Sequence, residues 1–459
     1  RILCFSYNWH EIAVAVNFFK KKDLSLINLT GIFSNILDIS DVNDLNTIPF
    51  IYGLKNSPIF GQIEKELNPP EYIKTISFTA NNENYSTNLP IIKLGERLTL
   101  DFDVLNNKEE DYYYTIDQLN FDWSKSQLIK SEYLRGFDNI KIQNYKTSFN
   151  TYQTYSHYKL KIPNQDVRIT KSGNYILKIY DEYGNIAFSR KFIVYESITT
   201  VPTQIKRLRN LKYIHTKQSV SFQVNPVTIQ LNNPKNTVKT LIIQNNNLST
   251  SINNLKAQYT IGSKLIFNYD EESSFWGGNE YLFFENKEIR SSNLNIRTFN
   301  LYDIYHSYLF ADYPRFNNSY TYNPDINGGF LTTALNADDI DIEADYVNIH
   351  FSLKNSTNRP SESIYIVGAF NNYSIQPKYR MTYNGASDSH ELMLKLKQGF
   401  YNYKYVLVNE YDEINQGGVS GNYDETENDY KVLIYYRGYG YRYDRVIGMG
   451  QANSINITN

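Results

Sequence analysis

The fold is decided by the stretch from Asp111 to Asp181, whose sequence is DYYYTIDQLNFDWSKSQLIKSEYLRGFDNIKIQNYKTSFNTYQTYSHYKLKIPNQDVRITKSGNYILKIYD. Residues 112–117 alternate with a period of two in residue types that favour a pleated surface. The same alternation returns at 157–162 and at 174–180, and the turn residues Pro163 and Asn164 stand between these two runs. This pattern predicts the strands of a β-sandwich.

Alternating segments bounded by Gly, Asn and Pro recur along the rest of the chain after residue 72. A chain of 459 residues corresponds to roughly three domains of about 150 residues each. We therefore predict an all-β fold of tandem immunoglobulin-like β-sandwiches, with short strands and turn signals at regular intervals. The predicted domains are sandwiches at 68–198, 199–340 and 341–459, preceded by a leader of uncertain structure at 1–67 whose non-native origin is left open.

The composition excludes several classes of protein. The hydrophobic fraction of 41% and charged fraction of 20% are typical of a folded chain, and the aromatic fraction of 15% is high. A net charge of −2 provides no field that would attract nucleic acid, so we predict none as a partner. Cys4 is the single cysteine, which rules out an internal disulfide, and no apolar run is long enough for a membrane-spanning helix.

Catalytic motifs are missing from the sequence. The six histidines are scattered, and neither a His-Glu-x-x-His motif, a Gly-x-Ser-x-Gly elbow nor a phosphate-binding loop occurs. The acidic run 338–345 could supply oxygen ligands to Ca²⁺, but it lacks the glycine and the final glutamate of a calcium loop. We interpret this run as a solvated linker, and we predict a non-enzymatic protein with no catalytic residue, no cofactor and no metal site.

Aromatic and arginine residues cluster in two places, the long connection after residue 121 and the run 435–445. These residue types provide most of the anchoring energy in protein interfaces. The predicted partner-binding residues are Tyr133, Arg135, Phe137, Tyr436, Arg437, Tyr439, Tyr441, Arg442 and Tyr443. A purely structural strand, with arginines that protect a sheet edge, is the alternative for the second cluster.

Several separated blocks in the deciding stretch also resemble a known family. They are Asp122-Trp123, Ser131-Glu132-Tyr133-Leu134-Arg135-Gly136-Phe137, Ser148-Phe149-Asn150-Thr151, Ile162-Pro163-Asn164-Gln165-Asp166-Val167-Arg168 and Ser172-Gly173-Asn174-Tyr175. In this order they resemble the characteristic domain of the plug protein of the Bacteroidetes type IX secretion system, from about residue 68 to the C-terminus. The resemblance implies a periplasmic protein, peripheral to the outer membrane. It would close the periplasmic end of the giant β-barrel of the translocon by steric occlusion.

The third predicted module resembles the early-set sandwich of glycogen-binding modules. The resemblance rests on the strand 363–367, on the turn Gly368-Ala369-Phe370-Asn371-Asn372-Tyr373 and on the later strand 399–407. Tyr373 stands where sugar-binding members usually carry tryptophan. Two alternatives to the plug function therefore stay open, a carbohydrate-binding array and an adhesin-type envelope protein. Exposed, coplanar rings at Phe370 and Tyr373 would favour the sugar-binding alternative.

Overall fold

Regular structure in the computed structural model is almost entirely β, over the described residues 63–80, 83–87, 89–106, 108–354 and 361–457. Most of the predicted leader, residues 1–62, lies outside this range. Its last residues run beside the strand that contains Ser189, because the Ser189 amide donates to the Leu67 carbonyl at 3.1 Å. The predicted all-β class is confirmed.

Eleven strands build the first sandwich. They are β1 (Ile73–Ala80), β2 (Ile91–Lys93), β3 (Leu98–Val104), β4 (Tyr113–Leu119), β5 (Leu134–Gly136), β6 (Ile140–Lys141), β7 (Tyr145–Thr147), β8 (Ser156–Ile162), β9 (Val167–Ile169), β10 (Gly173–Tyr180) and β11 (Ile186–Tyr195). One sheet has the order β1-β3-β8-β7 and the other β2-β11-β10-β4-β6, while β5 pairs with β9. Helix α1 (Lys130–Tyr133) precedes β5. The alternate residues Leu98, Leu100, Phe102 and Val104 of β3 are fully buried in the core, as a period of two requires.

Eight strands follow between residues 199 and 276. They are β12 (Thr199–Thr200), β13 (Thr203–Arg207), β14 (Lys217–Pro226), β15 (Val238–Gln244), β16 (Asn247–Asn253), β17 (Tyr259–Ile261), β18 (Lys264–Phe267) and β19 (Ser274–Trp276), with helix α2 (Pro234–Thr237) before β15. Strand β14 is central to a sheet with β12, β13, β17, β18 and β19. A second sheet pairs β16 with β15 and continues into strands from the C-terminal part of the chain.

The remaining strands complete two sandwiches. They are β20 (Leu282–Glu285), β21 (Ile296–Leu301), β22 (Tyr305–Leu309), β23 (Phe330–Thr332), β24 (Tyr346–Lys354), β25 (Glu362–Val367), β26 (Thr382–Asn384), β27 (Ser389–Lys397), β28 (Gly399–Asn409), β29 (Ile414–Asn415), β30 (Asp429–Tyr436) and β31 (Arg445–Asn453), with helix α3 (Ile340–Glu343) before β24. Single 3₁₀ turns occur at Ala369–Asn371, Pro377–Tyr379 and Ser454–Asn456. Strands β20 to β29 form the two sheets of the third sandwich.

The second sandwich is completed by the last two strands of the chain. Strand β30 pairs with β15 over Val238 to Gln244, giving the sheet order β16-β15-β30-β31. Its core combines residues such as Phe222 and Phe267 with Tyr430 and Val432 of β30. The chain thus leaves the second sandwich after β19, builds the third sandwich from β20 to β29, and returns to finish the second.

This pairing crosses the domain boundary predicted at residue 340. Strands β20 and β22 precede residue 340 but pair with β28 and β24, whereas β30 and β31 follow it but pair within the second sandwich. The domain boundaries at residues 198 and 340 stay predictions. Two crossover segments, residues 277–281 and 424–428, connect the second and third sandwiches. They contact each other, since the Asn428 side chain donates to the Gly277 carbonyl at 2.8 Å.

The first and second sandwiches share an apolar interface. Leu89 and Ile193 of the first pack with Leu433 and Val446 of the second, all at most 1% exposed. Phe121, in the long aromatic connection after β4, adds a T-shaped contact with Tyr435, at 4.9 Å between ring centroids. The aromatic connection is therefore packed between sandwiches at this point.

Candidate functional site

The two stretches that carry the predicted partner-binding residues are brought together. The first comprises α1 and β5, and the second is the turn between β30 and β31. The Arg442 guanidinium forms an ion pair with the Glu132 carboxylate of α1. Asp444, 1% exposed, accepts hydrogen bonds from the Phe121 amide and from the Arg437 guanidinium, both at 2.9 Å. The turn is therefore held on the surface of the first sandwich.

Burial divides the nine predicted residues into two groups. Tyr133, Tyr436 and Tyr443 are 3%, 4% and 8% exposed, so their rings contribute to packing, which agrees with the structural alternative. Arg437 is partly buried between Asn120 and Asp444. The exposed members form what we call the turn surface, defined as Arg135, Phe137, Tyr439, Tyr441 and Arg442. Partner binding by this surface stays a prediction.

Two aromatic side chains of the turn surface are highly exposed to solvent. Phe137 is 72% exposed, and Tyr439 is fully exposed at the tip of the turn, just before Gly440, whose φ of +82° is a left-handed conformation suited to glycine. Arginine and tyrosine together on a fixed turn provide large contact areas and forked donors. The turn surface can therefore bind a protein surface, and it contains no acid–base pair that could perform catalysis.

A buried cluster of charged residues joins the first and third sandwiches. Asp103, on β3, accepts from the Lys397 ammonium at 2.8 Å and from the Tyr346 hydroxyl at 2.7 Å, through Oδ2 in both cases. Its Oδ1 lies 2.7 Å from His157 Nδ1 of β8. The side chains of Asp103 and Lys397 are each only 1% exposed. This contact therefore fixes a strand of the first sandwich to β27 of the third.

Two further carboxylates complete this ion-pair cluster, which we define as Asp101, Asp103, His157, Lys159, Asp341 and Lys397. Lys159 contacts Asp101 at 3.3 Å and also forms an ion pair with Asp341. His157 Nε2 lies 3.3 Å from Asp101 Oδ1 and 3.7 Å from Asp341 Oδ2. Three carboxylates thus face two lysines and one histidine.

The protonation of this cluster follows from its geometry. Burial alone would raise the pKa of Asp103, but Lys397 and His157 outweigh it, so the pKa of Asp103 is lowered. Burial would lower the pKa of His157, yet its contact with Asp101, its hydrogen bond to Asp103 and the charge of Asp103 raise it to about 9. His157 is therefore a cation at neutral pH, and three positive groups balance three negative ones.

Asp101, His157 and Asp341 could in principle hold a metal ion, because their ligand atoms lie within 4.8 Å of one another. The Lys159 ammonium, however, already contacts both of the carboxylates. A divalent cation placed beside the protonated histidine and this ammonium would be repelled by both. The cluster therefore acts as a structural connection between sandwiches.

The interpretation of residues 338–345 as a solvated linker is wrong for its last residue. Asp345 is 4% exposed and accepts from the Tyr152 amide at 2.7 Å and from the Gln153 amide at 3.2 Å. Asp339 caps α3 by accepting from the Asp341 amide, which is the ordinary role of aspartate at a helix start. This acidic run therefore binds the first sandwich.

A second group of carboxylates lies at the crossover segments. We call Glu280, Asp325 and Glu427 the junction cluster; their ligand oxygens also lie within 4.8 Å of one another. Burial, together with the charges of Glu280 and Glu427, raises the pKa of Asp325 to about 7 in spite of two backbone hydrogen bonds. Burial likewise raises the pKa of Glu280 and of Glu427. Oxygen atoms of this kind are the ligands that hard cations prefer.

The rings on which sugar binding would depend are packed against the third core. Phe370 and Tyr373 are partly buried, and Phe370 meets Tyr401 edge-on at 80° between ring planes. The Tyr373 hydroxyl lies 3.3 Å from that of Tyr281. Neither ring forms the exposed, coplanar surface that stacks on a sugar.

Sequence reasoning did not find either carboxylate cluster. One signal was present in β3, where Asp101 and Asp103 alternate with buried apolar residues and would face solvent in an isolated sandwich. Their cross-strand partners on β8 are Lys159 and His157, so opposite charges stand directly across the ladder. Sequence reasoning also did not predict that two histidines contact each other, yet His306 Nδ1 and His350 Nε2 are 2.8 Å apart.

Fold and sites together define a class, an all-β protein of interlocked sandwiches with contact surfaces and buried ion pairs. Residues 73–196 match the family model described as the Type 9 secretion system plug protein 1st domain. Over these residues the chain therefore contains the first domain of the type 9 secretion system plug proteins, which supports a type IX secretion plug protein. That family is a structural component of secretion, and the match implies association with the translocon and the cell envelope.

A solved structure supports the same fold beyond the matched domain. It is titled a hypothetical protein from Parabacteroides merdae ATCC 43184 and is 30% identical in sequence, with a TM-score of 0.81. The similarity covers 85% of this chain and 99% of that chain. No curated protein matches the sequence. Among the described residues, none of the helices has the length and apolar character needed to cross a membrane.

Proposed function

We propose that the protein seals the periplasmic end of the giant outer-membrane β-barrel of the type IX translocon by steric occlusion. The observation that carries this proposal is the match of residues 73–196 to the plug domain. Occlusion requires a folded body that keeps its shape inside an aqueous opening, and it requires no chemistry. The protein would lie at the periplasmic face of the outer membrane, peripheral to the lipid.

The internal connections between sandwiches support such a body. The ion-pair cluster fixes the first sandwich to the third, with Asp103 and Lys397 both buried. An apolar interface around Leu433 and Ile193 fixes the first to the second. Large buried contacts of this kind oppose hinge motion between domains. A force applied from one side of the barrel would then be shared by the three sandwiches and would not separate them.

The turn surface is our proposed contact with the barrel. Its exposed ring Tyr439 and its guanidinium Arg442 are suited to the polar and aromatic lining of a large pore. The turn is held by Asp444, so little conformational entropy is lost when it binds. A wide and reversible interface, with a few anchoring side chains, fits a plug that must be displaced during secretion.

The first test is co-purification. The full chain, tagged at its C-terminus, is used to recover proteins from detergent-solubilised outer membranes, and we expect the giant β-barrel subunit among them. The double variant F137S/Y439S should recover at least tenfold less barrel, which corresponds to about 1.4 kcal/mol. The matched control is Y183S/Y411S, since Tyr183 and Tyr411 are 81% and 76% exposed and lie outside the turn surface.

The second test measures occlusion itself. The purified barrel is inserted into a planar lipid bilayer, and its ion conductance is recorded before and after addition of the protein to the periplasmic side. We expect the wild-type chain to reduce conductance and the F137S/Y439S variant to require a higher concentration. An open pore in the presence of bound protein would refute occlusion, whereas equal recovery by both double variants would refute only the proposed contact surface.

A further inference from the structure

The junction cluster is built at the two places where the chain passes between sandwiches. Glu280 lies on the segment that enters the third sandwich, and Glu427 lies on the segment that leaves it. Asp325 approaches from the loop before β23, where its two oxygens accept from the Tyr281 amide at 2.5 Å and from the Asn327 amide at 2.6 Å. Three acidic residues far apart in sequence therefore meet within 4.8 Å.

One buried oxygen at this site has no partner. Glu280 is 1% exposed, and its Oε1 accepts from the Glu427 amide at 3.0 Å and from the Tyr320 hydroxyl. Its Oε2 is buried and accepts no hydrogen bond within the described part of the chain. A buried carboxylate oxygen without a donor is costly, because it has lost its hydration without replacement. A bound cation would supply the missing interaction.

A second oxygen close by has the same deficiency. Asn327 Oδ1 is buried and lacks a hydrogen-bond partner among the described residues. The amide nitrogen of the same side chain lies 3.2 Å from Glu427 Oε2 and 3.4 Å from Asp429 Oδ2. Rotation of the Asn327 side-chain amide by 180° would turn its oxygen toward the carboxylates. A cation bound among them could then take this oxygen as a neutral ligand.

Among the residues that the structure describes, the junction cluster has no direct ion pair, although Arg315 and Lys404 lie close enough to interact with its charges. In the described ranges, no lysine, arginine or histidine nitrogen lies within 4.0 Å of the carboxylate oxygens of Glu280, Asp325 or Glu427. Arg315 is near but donates to the Glu280 carbonyl oxygen at 2.7 Å instead. Three acidic groups in a partly desolvated space repel one another unless a cation is shared among them.

We propose that the junction cluster binds a calcium ion through Glu280, Asp325 and Glu427, with the Asn327 side chain as a further oxygen ligand. Calcium takes oxygen ligands at about 2.3–2.6 Å, so two ligands on opposite sides of one ion are about 5 Å apart. The observed spacing of the carboxylates, at most 4.8 Å, fits that requirement. The bound ion would connect the two crossover segments and so stiffen the joint between the second and third sandwiches.

The test is a calcium titration of the full chain after treatment with EGTA, followed by calorimetry and by thermal unfolding. We expect one ion to bind per chain with a Kd on the order of 10⁻⁴ M or tighter, and the melting temperature to rise in a saturable way. Magnesium at the same concentration should produce a smaller rise, since it demands shorter bonds and a stricter octahedron.

The variant E280Q separates metal binding from a structural role. Glutamine keeps the Oε1 acceptor for Tyr320 and Glu427 and replaces the charged Oε2 by a neutral NH2 donor, so in EGTA the variant should melt no lower than the wild type. Its calcium affinity should fall at least tenfold. The matched control D101N alters the ion-pair cluster, so it should melt lower with and without calcium and should bind calcium as the wild type does.

Two outcomes would overturn the proposal. One is a wild-type chain that shows neither heat of binding nor a shift in melting temperature at calcium concentrations of about 10 mM, tenfold above the weakest sites of extracellular modules. The other is an E280Q variant that binds calcium with unchanged affinity. The proposal does not depend on plug function, because calcium binding is measured on the isolated chain.

Discussion

The ion-pair cluster and the junction cluster both gather three carboxylates between sandwiches, and they differ in how the charge is balanced. In the first, Lys159 and a protonated His157 on β8 and Lys397 on β27 of the third sandwich contact the acids directly. In the second, the acids come from loops and crossover segments, and no cationic side chain of the described residues contacts them. The balancing charge must then come from protons or from a bound ion.

This difference follows from the kind of backbone that supplies each cluster. In a sheet, a residue on one strand stands opposite a fixed residue on the next, as Asp103 stands opposite His157 and Asp101 opposite Lys159. A complementary cation is therefore available opposite both acids of β3. Loops have no such register, so Glu280 and Glu427 meet without an assigned cation. A ligand-dependent joint is more easily built from loops than from strands.

The largest effect is expected from removing the buried cation of the ion-pair cluster. The variant K397M leaves the buried Asp103 with His157 as its one remaining cationic partner and should lower the free energy of unfolding by about 3 kcal/mol, measured by urea denaturation. The control K141M removes an exposed pair with Asp111, each side chain 40% exposed, and should have a much smaller effect because solvent screens such a pair. Equal losses in the two variants would show that burial is not what distinguishes them.

The pH dependence of stability should report on His157. Its pKa rises from an ordinary value of 6.5 to about 9 on folding, so its contribution is complete below about pH 6.5 and is lost as the pH rises through 9. The difference in unfolding free energy between wild type and H157Q should therefore shrink across that window. Its upper limit is a few kcal/mol, since each pKa unit corresponds to about 1.4 kcal/mol.

The control for this measurement is L211S, because the Leu211 side chain is 84% exposed, lies outside the cluster and does not titrate. Its difference from wild type should stay nearly constant over the same pH range. A difference between wild type and H157Q that grows with pH would mean that the histidine is neutral in the folded protein.

A smaller loss is expected for D101N. The substitution weakens contacts with Lys159 and His157, both at 3.3 Å, at a position where the carboxylate is 19% exposed. The free energy of unfolding should fall by about 1–2 kcal/mol. Urea titrations in EGTA and in calcium should give the same loss. A loss seen only in calcium would move the metal site to the ion-pair cluster.

The smallest effect, and one of opposite sign, is expected for E280Q without calcium. Because Glu280 Oε2 has no partner to lose, removing its charge relieves repulsion and should raise the free energy of unfolding by up to about 1 kcal/mol. Urea denaturation in EGTA measures this gain. A loss above about 1 kcal/mol would identify Glu280 as a structural acid with a partner of its own.

Much of the fold could be predicted from the sequence because the alternation in each strand is local. The predicted run 157–162 lies within β8, and the run 174–180 lies within β10. The period of two that identifies such strands is set by neighbouring residues and does not depend on distant partners. The blocks from Asp122 to Tyr175 also indicated the family, and the matched domain at 73–196 contains them.

What could not be predicted depends on pairing across long distances. Strand β30 has the same alternation whether it pairs within the third sandwich or, as observed, with β15 of the second. Asp103 looks like a solvent-facing residue until the third sandwich covers it. The acids at 280, 325 and 427 have no common spacing, since only the crossover brings them together. For the turn surface, the sequence indicated the residue types but could not separate exposed Tyr439 from buried Tyr436.

The return of the chain to the second sandwich has a consequence for the order in which the sandwiches can fold. A sandwich whose strands are consecutive can fold as soon as its own residues are available, and the first sandwich meets that condition. The second cannot, because β15 lacks β30 until the residues that follow the whole third sandwich are available. Until then the strand β15, which carries the apolar Ile242, has an uncovered edge, so chains truncated between residues 277 and 428 should be the species that chaperones hold.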